Sequence, residues 1–120
     1  TQSFNLAFKK VSEPFVCLLE DDNWWEPHFL ETMVSSMKQF PSVQVAWSNM
    51  KIWKEESDGS WTDTGEKIWN NHESKNPTLF TWGHPQQASG AFHSNGTLMV
   101  RSELAEQYVI PGETSSAAME

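Results

Sequence analysis

The sequence predicts an α/β fold: a mostly parallel sheet flanked by helices, with a β-hairpin excursion. Three observations carry that prediction. A strand-length apolar run, residues 15–19, ends abruptly in Glu20, Asp21 and Asp22. An amphipathic helix pattern follows almost at once, with Phe29, Leu30, Met33, Val34, Met37 and Phe40 at steps of three and four. A second strand candidate, residues 43–47, comes just after Pro41. Helix, strand, helix, strand with short links is the punctuation of βαβ units.

Taken in order, residues 4–11 read as the end of a helix, with Phe4, Ala7, Phe8 and Val11 at helical spacing. Residues 12–14 break it. Residues 15–19 are apolar without interruption, as suits a central strand covered on both faces. Pro27 fits the first position of the next helix, where its missing N–H costs nothing, and Pro41 ends that helix. Residues 50–54 and 60–69 flank Asp58-Gly59, a hairpin-turn signal. Residues 70–77 are polar and read as loop, and residues 78–87 show no period. Residues 90–101 are extended, with a turn or bulge at Asn95-Gly96. Ser102 is a good N-cap for a short helix over 102–108, and residues 117–120 open another.

Composition narrows the function. With 120 residues the chain is one domain or part of one. A net charge of −8 excludes sequence-independent nucleic-acid binding, which rests on clustered Lys and Arg. No run reaches membrane-spanning length and no signal-peptide pattern opens the chain. The single thiol, Cys17, sits mid-strand as a buried group, which fits a reducing, cytoplasmic setting. Thr1 opens the chain and Glu120 closes it inside a helical pattern, so the expected unit is a piece of a longer polypeptide. Such a piece leaves a sheet edge that a second copy can cover.

The chemistry centres on the acidic tip. Side chains alternate along a strand, so Glu20 and Asp22 leave on the same side. Closely packed carboxylates repel, and a bound cation relieves that repulsion. Mg²⁺ and Mn²⁺ favour carboxylate and water oxygens and bridge them to substrate phosphates. The plainer reading is a solvated or helix-capping acidic loop. Seven tryptophans invite a similar weighing: most belong to packing, while indole faces also stack on the C–H faces of sugar rings. Trp24 and Trp25, just past the acids, either pack the strand–helix corner or touch a sugar. His28, His72, His84 and His93 lack zinc spacing and read as surface or loop residues. Arg101 pairs with a phosphate or forms a structural ion pair, and Asn95-Gly96-Thr97 is a chance sequon.

These pieces together resemble the middle of a glycosyltransferase family 2 catalytic domain, which has the Rossmann-like GT-A fold. The resemblance runs over Asn5 and Ala7, the apolar strand FVCLL, the acidic EDDN, the aromatic-proline WWEP and the helix HFLETMVSSMKQF. The later SNGTLMVRSEL is similar to the family's Arg-ended strand and the short helix behind it. The resemblance implies that residues 1–120 form a single partial domain, the central and C-terminal part of the family's catalytic unit. It also implies that Asp22 holds a Mn²⁺ or Mg²⁺ ion on the donor's diphosphate. Glu20, standing where the family has Asp, and Asp21 would lie near the nucleotide-sugar. Trp24, Trp25 and His93 would face sugar or acceptor, and Glu120 stands where a catalytic base falls. The implied reaction is inverting transfer from a nucleotide-sugar to a carbohydrate or other hydroxyl acceptor, with membrane association of the full-length protein left open. The competing reading is a non-catalytic, Trp-rich carbohydrate-binding module.

Overall fold

The computed structural model describes residues 10–69, 76–80 and 95–105. The expected helix over 4–11 falls almost wholly outside them, and His93, Glu120 and the whole of 81–94 lie outside them. Among these residues eight elements follow in order. They are β1 (Phe15–Cys17), α1 (Phe29–Gln39), β2 (Val45–Ala46), β3 (Lys51–Glu55), β4 (Trp61–Lys67), a 3-10 turn (Asn95–Thr97), β5 (Met99–Arg101) and α2 (Ser102–Ala105).

β1, β5 and β2 form one sheet in that order. β5 runs antiparallel to both neighbours, with Cys17 and Ala46 each opposite Met99, and Val16 and Val45 each opposite Val100. Among the described residues every strand pairing is antiparallel, so the expected mostly parallel sheet is not confirmed. β1 and β2 do point the same way, as a βαβ unit requires, but they are not bonded to each other. β5 returns from the long excursion and takes the place between them, satisfying the backbone donors of both. The strands are also shorter than the apolar runs, since Leu18 and Leu19 already leave the ladder and Leu19 is half exposed.

The core lies between α1 and this sheet. Met33, Met37 and Met99 are buried, and Phe15, Cys17, Phe29, Val34, Val43 and Ala46 pack around them. Phe29, Met33 and Met37 recur every four residues, so they stack along one helix face over the sheet. Leu30, counted in the expected stripe, is half exposed. Pro27 precedes the helix by two residues rather than opening it: the chain turns through Pro27 and His28, and the Phe29 N–H donates to the Glu26 carbonyl at 2.9 Å.

The far end of α1 is held by Arg101. Its Nη2 donates to the Met37 carbonyl and its Nε to the Val43 carbonyl, each at 2.8 Å, and its guanidinium lies 5.3 Å from the Phe15 ring centroid. The last carbonyls of a helix lack partners within it, and Arg101 supplies one. Among the described residues its recorded acceptors are backbone oxygens, where a structural ion pair was expected.

β3 and β4 form the expected hairpin as a separate two-stranded sheet. Asp58 Oδ1 accepts from the Ser60 N–H at 2.9 Å and the Ser60 hydroxyl at 2.6 Å, and Gly59 takes φ +81°, which favours glycine. Between Lys51↔Lys67 and Trp53↔Asp63, Ile52 alone faces Thr64, Gly65 and Glu66. Gly65, at φ +74°, absorbs this bulge. No residue of either strand is buried. At the hairpin base Asn49 substitutes for a ladder: its Nδ2 donates to the Trp69 carbonyl at 2.8 Å, and its Oδ1 accepts from the N–H groups of Trp69 and Met50.

Candidate active site

The acidic tip forms where β1 gives out. The chain turns through Asp21 and Asp22, and the Asn23 N–H donates to the Glu20 carbonyl at 3.3 Å. Asn23 Nδ2 then donates to Glu20 Oε2 and to Asp22 Oδ1, each at 3.1 Å. One amide nitrogen within reach of both carboxylates means that the two converge. Asp21 stays outside this pair, and all three acids are solvent-exposed.

Gly96 closes the other side. A Cβ there would stand at ordinary van der Waals distance, 3.6 Å, from Glu20 Oε2 and Asn23 Nδ2, so the 3-10 turn lies directly against the acidic tip. Two further ties fix that turn. Trp25 Nε1 donates to the Gly96 carbonyl at 2.6 Å. Thr97, buried, donates its hydroxyl to the Ser48 carbonyl at 2.8 Å and accepts the Ser48 N–H at 3.2 Å. The hydroxyl of the sequon is thus committed to the fold.

The paired tryptophans separate in role. Trp25 turns inward and stacks on Phe29, centroids 4.8 Å apart, so it packs the corner. Trp24 turns outward to the hairpin. Its ring meets Trp53 at 5.3 Å and Trp61 at 6.1 Å, both edge to face. Between the acidic loop, the end of β2 and the hairpin lies a cleft of about 230 Å³, lined among others by Asp22, Trp24, Trp25, Trp53, Trp61 and Thr97. Lys51 bridges it, donating to Glu26 at 2.8 Å. The hydrogen bond and charge of Glu26 hold the Lys51 ammonium above its ordinary titration range. Burial of Cys17 raises its thiol and keeps it protonated at neutral pH.

Among the described residues no three His, Cys, Asp or Glu side chains gather to hold a metal. Two convergent carboxylates suit an ion that takes its remaining ligands from water and a diphosphate. Sequence reasoning missed Trp53 and Trp61, although their alternation within a hairpin after an unusually Trp-rich stretch was visible. It missed Asn23 as the link between the carboxylates and Lys51 as the cation across the cleft; neither carries a local signal.

Comparison with known families matches residues 1–107 to the family described as Glycosyl transferase family 2. Neither the curated proteins nor the solved structures give a match. The family match spans nearly the whole chain, from the segment before β1 through β5 and α2. The chain belongs to glycosyltransferase family 2, whose catalytic domains have the α/β GT-A fold.

Proposed function

We propose that the protein transfers a sugar from a nucleoside diphosphate donor to an acceptor hydroxyl, with inversion at the anomeric carbon and with Mn²⁺ or Mg²⁺ as cofactor. The observation carrying this reading is the convergence of Glu20 and Asp22 on one amide at the mouth of a cleft. Asp22 and Glu20 are the residues that would hold the ion. When bound, it offsets negative charge on the departing diphosphate.

The chain's own residues do the rest. Glu20 and Asp22, which would hold the cation, would thereby also set where the donor's phosphates sit at the mouth of the cleft, with Asp21 beside them as a further contact to the nucleotide-sugar. Trp25 and Thr97 fix the floor, keeping donor and acceptor in register, which is where much of the rate of a two-substrate transfer arises. A carboxylate takes the proton of the acceptor hydroxyl as its oxygen attacks the anomeric carbon and the diphosphate leaves on the opposite face. Glu120 is our candidate for that base, and His93 for an acceptor-side contact.

The test is binding of UDP or GDP to the intact protein with and without Mn²⁺, followed by calorimetry. Metal-dependent binding that Asp22→Ala weakens by about 10-fold or more supports the reading, since even the partners of metal ligands are worth about 10–100-fold in metal affinity. Nucleotide binding indifferent to metal and to Asp22→Ala overturns it. The half-exposed Trp24 and Trp61 beside the cleft favour a second reading, a carbohydrate-binding module without catalysis, which predicts sugar binding with no nucleotide or metal requirement.

A further inference from the structure

Four of the seven tryptophans line the same cleft as Asp22. Trp25 is consumed by packing, but the other three are not. Trp24 keeps 52% and Trp61 49% of their surface exposed although they touch each other, and Trp53 joins them from the neighbouring strand. Indoles held only to tighten a hairpin would bury that area, since apolar surface left in water forgoes about 25 cal/mol per Å². About half the surface of Trp24 and of Trp61 stays open to solvent.

The surroundings restrict what can cover it. Asp22 and Glu26 stand at the rim, and the one lysine of the lining, Lys51, is already paired with Glu26. Without a bound cation the rim is therefore net negative, which disfavours acidic sugars and phosphate-headed lipids on the metal-free protein. Its carboxylates accept hydrogen bonds from hydroxyl groups. Flat apolar faces beside hydroxyl acceptors suit a neutral pyranose, which offers C–H groups on its ring face and O–H groups at its edge.

We propose that Trp24, Trp53 and Trp61 form a stacking platform for the rings of a neutral saccharide, and that the β3–β4 hairpin is the element that selects this acceptor. The word acceptor rests on the transferase reading; the binding of the saccharide does not. Trp24 follows Asp22 by two residues, so a chain of rings laid on the hairpin leads its end toward the acidic tip.

The test uses the intact protein and three probes: chitotetraose, cellotetraose and maltotetraose, each titrated by tryptophan fluorescence and by calorimetry. At least one is expected to bind. Trp61→Ala is expected to weaken that binding about tenfold, the size of one aromatic contact of roughly 1.4 kcal/mol. Trp61→Phe, which keeps a smaller ring face, is expected to fall between them, and circular dichroism checks that both variants fold. No binding of any of the three tetrasaccharides overturns the inference, as does unchanged affinity in Trp61→Ala. If Trp61→Ala does not fold, Trp61→Phe decides alone, with unchanged affinity again overturning it. Titration with UDP and Mn²⁺ reads the donor half separately. A protein that binds a tetrasaccharide but no nucleotide keeps the platform and loses the transferase reading, and nucleotide binding without saccharide binding does the reverse.

Discussion

The corner built from α1 and the β1–β5–β2 sheet and the β3–β4 hairpin are held by different forces. The corner buries Met33, Met37 and Met99 and closes its helix end with Arg101. The hairpin buries nothing and relies on side chains bonded to backbone: Asn49 at its base, Thr64 to the Ile52 carbonyl at 2.7 Å, Asp63 to the Gly65 N–H at 2.9 Å, and Asp58 at its tip. Polar ties of this kind fix a shape without covering a surface, so the hairpin can leave its indoles open. The cleft lies along the seam, with its carboxylates anchored to the packed side and its aromatic wall on the other. Stability is concentrated in one region and recognition in the other.

The largest effect should come from emptying the corner. Met37 is 1% exposed, and Met37→Ala is expected to cost about 2–5 kcal/mol, the range for removing a large buried side chain. Urea unfolding followed by circular dichroism measures it. A loss below 1 kcal/mol would break the comparison, because the corner would then not be where stability resides.

A smaller and more local effect is expected at Asn49. Asn49→Ala removes three hydrogen bonds, one to the Trp69 carbonyl and one each from the N–H groups of Trp69 and Met50, a loss of about 1–3 kcal/mol that shrinks where water replaces them. Hydrogen exchange should quicken in residues 51–67 while amides of α1 keep their protection. Equal loosening of both regions would show that they unfold as one unit.

What the sequence disclosed follows the same division. The corner was legible where the signal is periodic: Phe29, Met33 and Met37 announce a helix face, and the apolar run announces β1. The hairpin was legible at Asp58-Gly59, because a left-handed turn residue leaves a local trace. The rest depends on partners distant in the chain. Nothing near Met99 says that its strand enters antiparallel between β1 and β2. Arg101 carries no mark that its acceptors are carbonyls rather than carboxylates, since every residue offers a carbonyl. Leu30 sits at the edge of a stripe whose width is set by the sheet beneath it. The acidic tip was readable as a motif, but its joining through Asn23 and its apposition to Gly96 are products of the fold. The gathering of Trp24, Trp53 and Trp61 arises only when the hairpin folds back over the acidic loop.

The smallest effect sharpens the comparison through pH. The Ser60 hydroxyl and N–H hold Asp58 below its ordinary value of 3.8. A carboxylate depressed in the folded state stabilises it above the unfolded value, and that contribution fades as pH falls through the lower, folded one. Acid below about pH 3.8 should therefore relax the hairpin tip. The indole N–H signal of Trp61, opposite Glu55 in the ladder, should move over this range in NMR spectra. That of Trp25, bonded to the Gly96 carbonyl on the packed side, should not follow the same step. Asp58→Asn keeps an oxygen to accept from Ser60 but has no proton to gain, so it should flatten the Trp61 response while leaving the fold intact. A Trp61 titration that persists in Asp58→Asn would assign the acid sensitivity to a group elsewhere and remove the hairpin tip as its source.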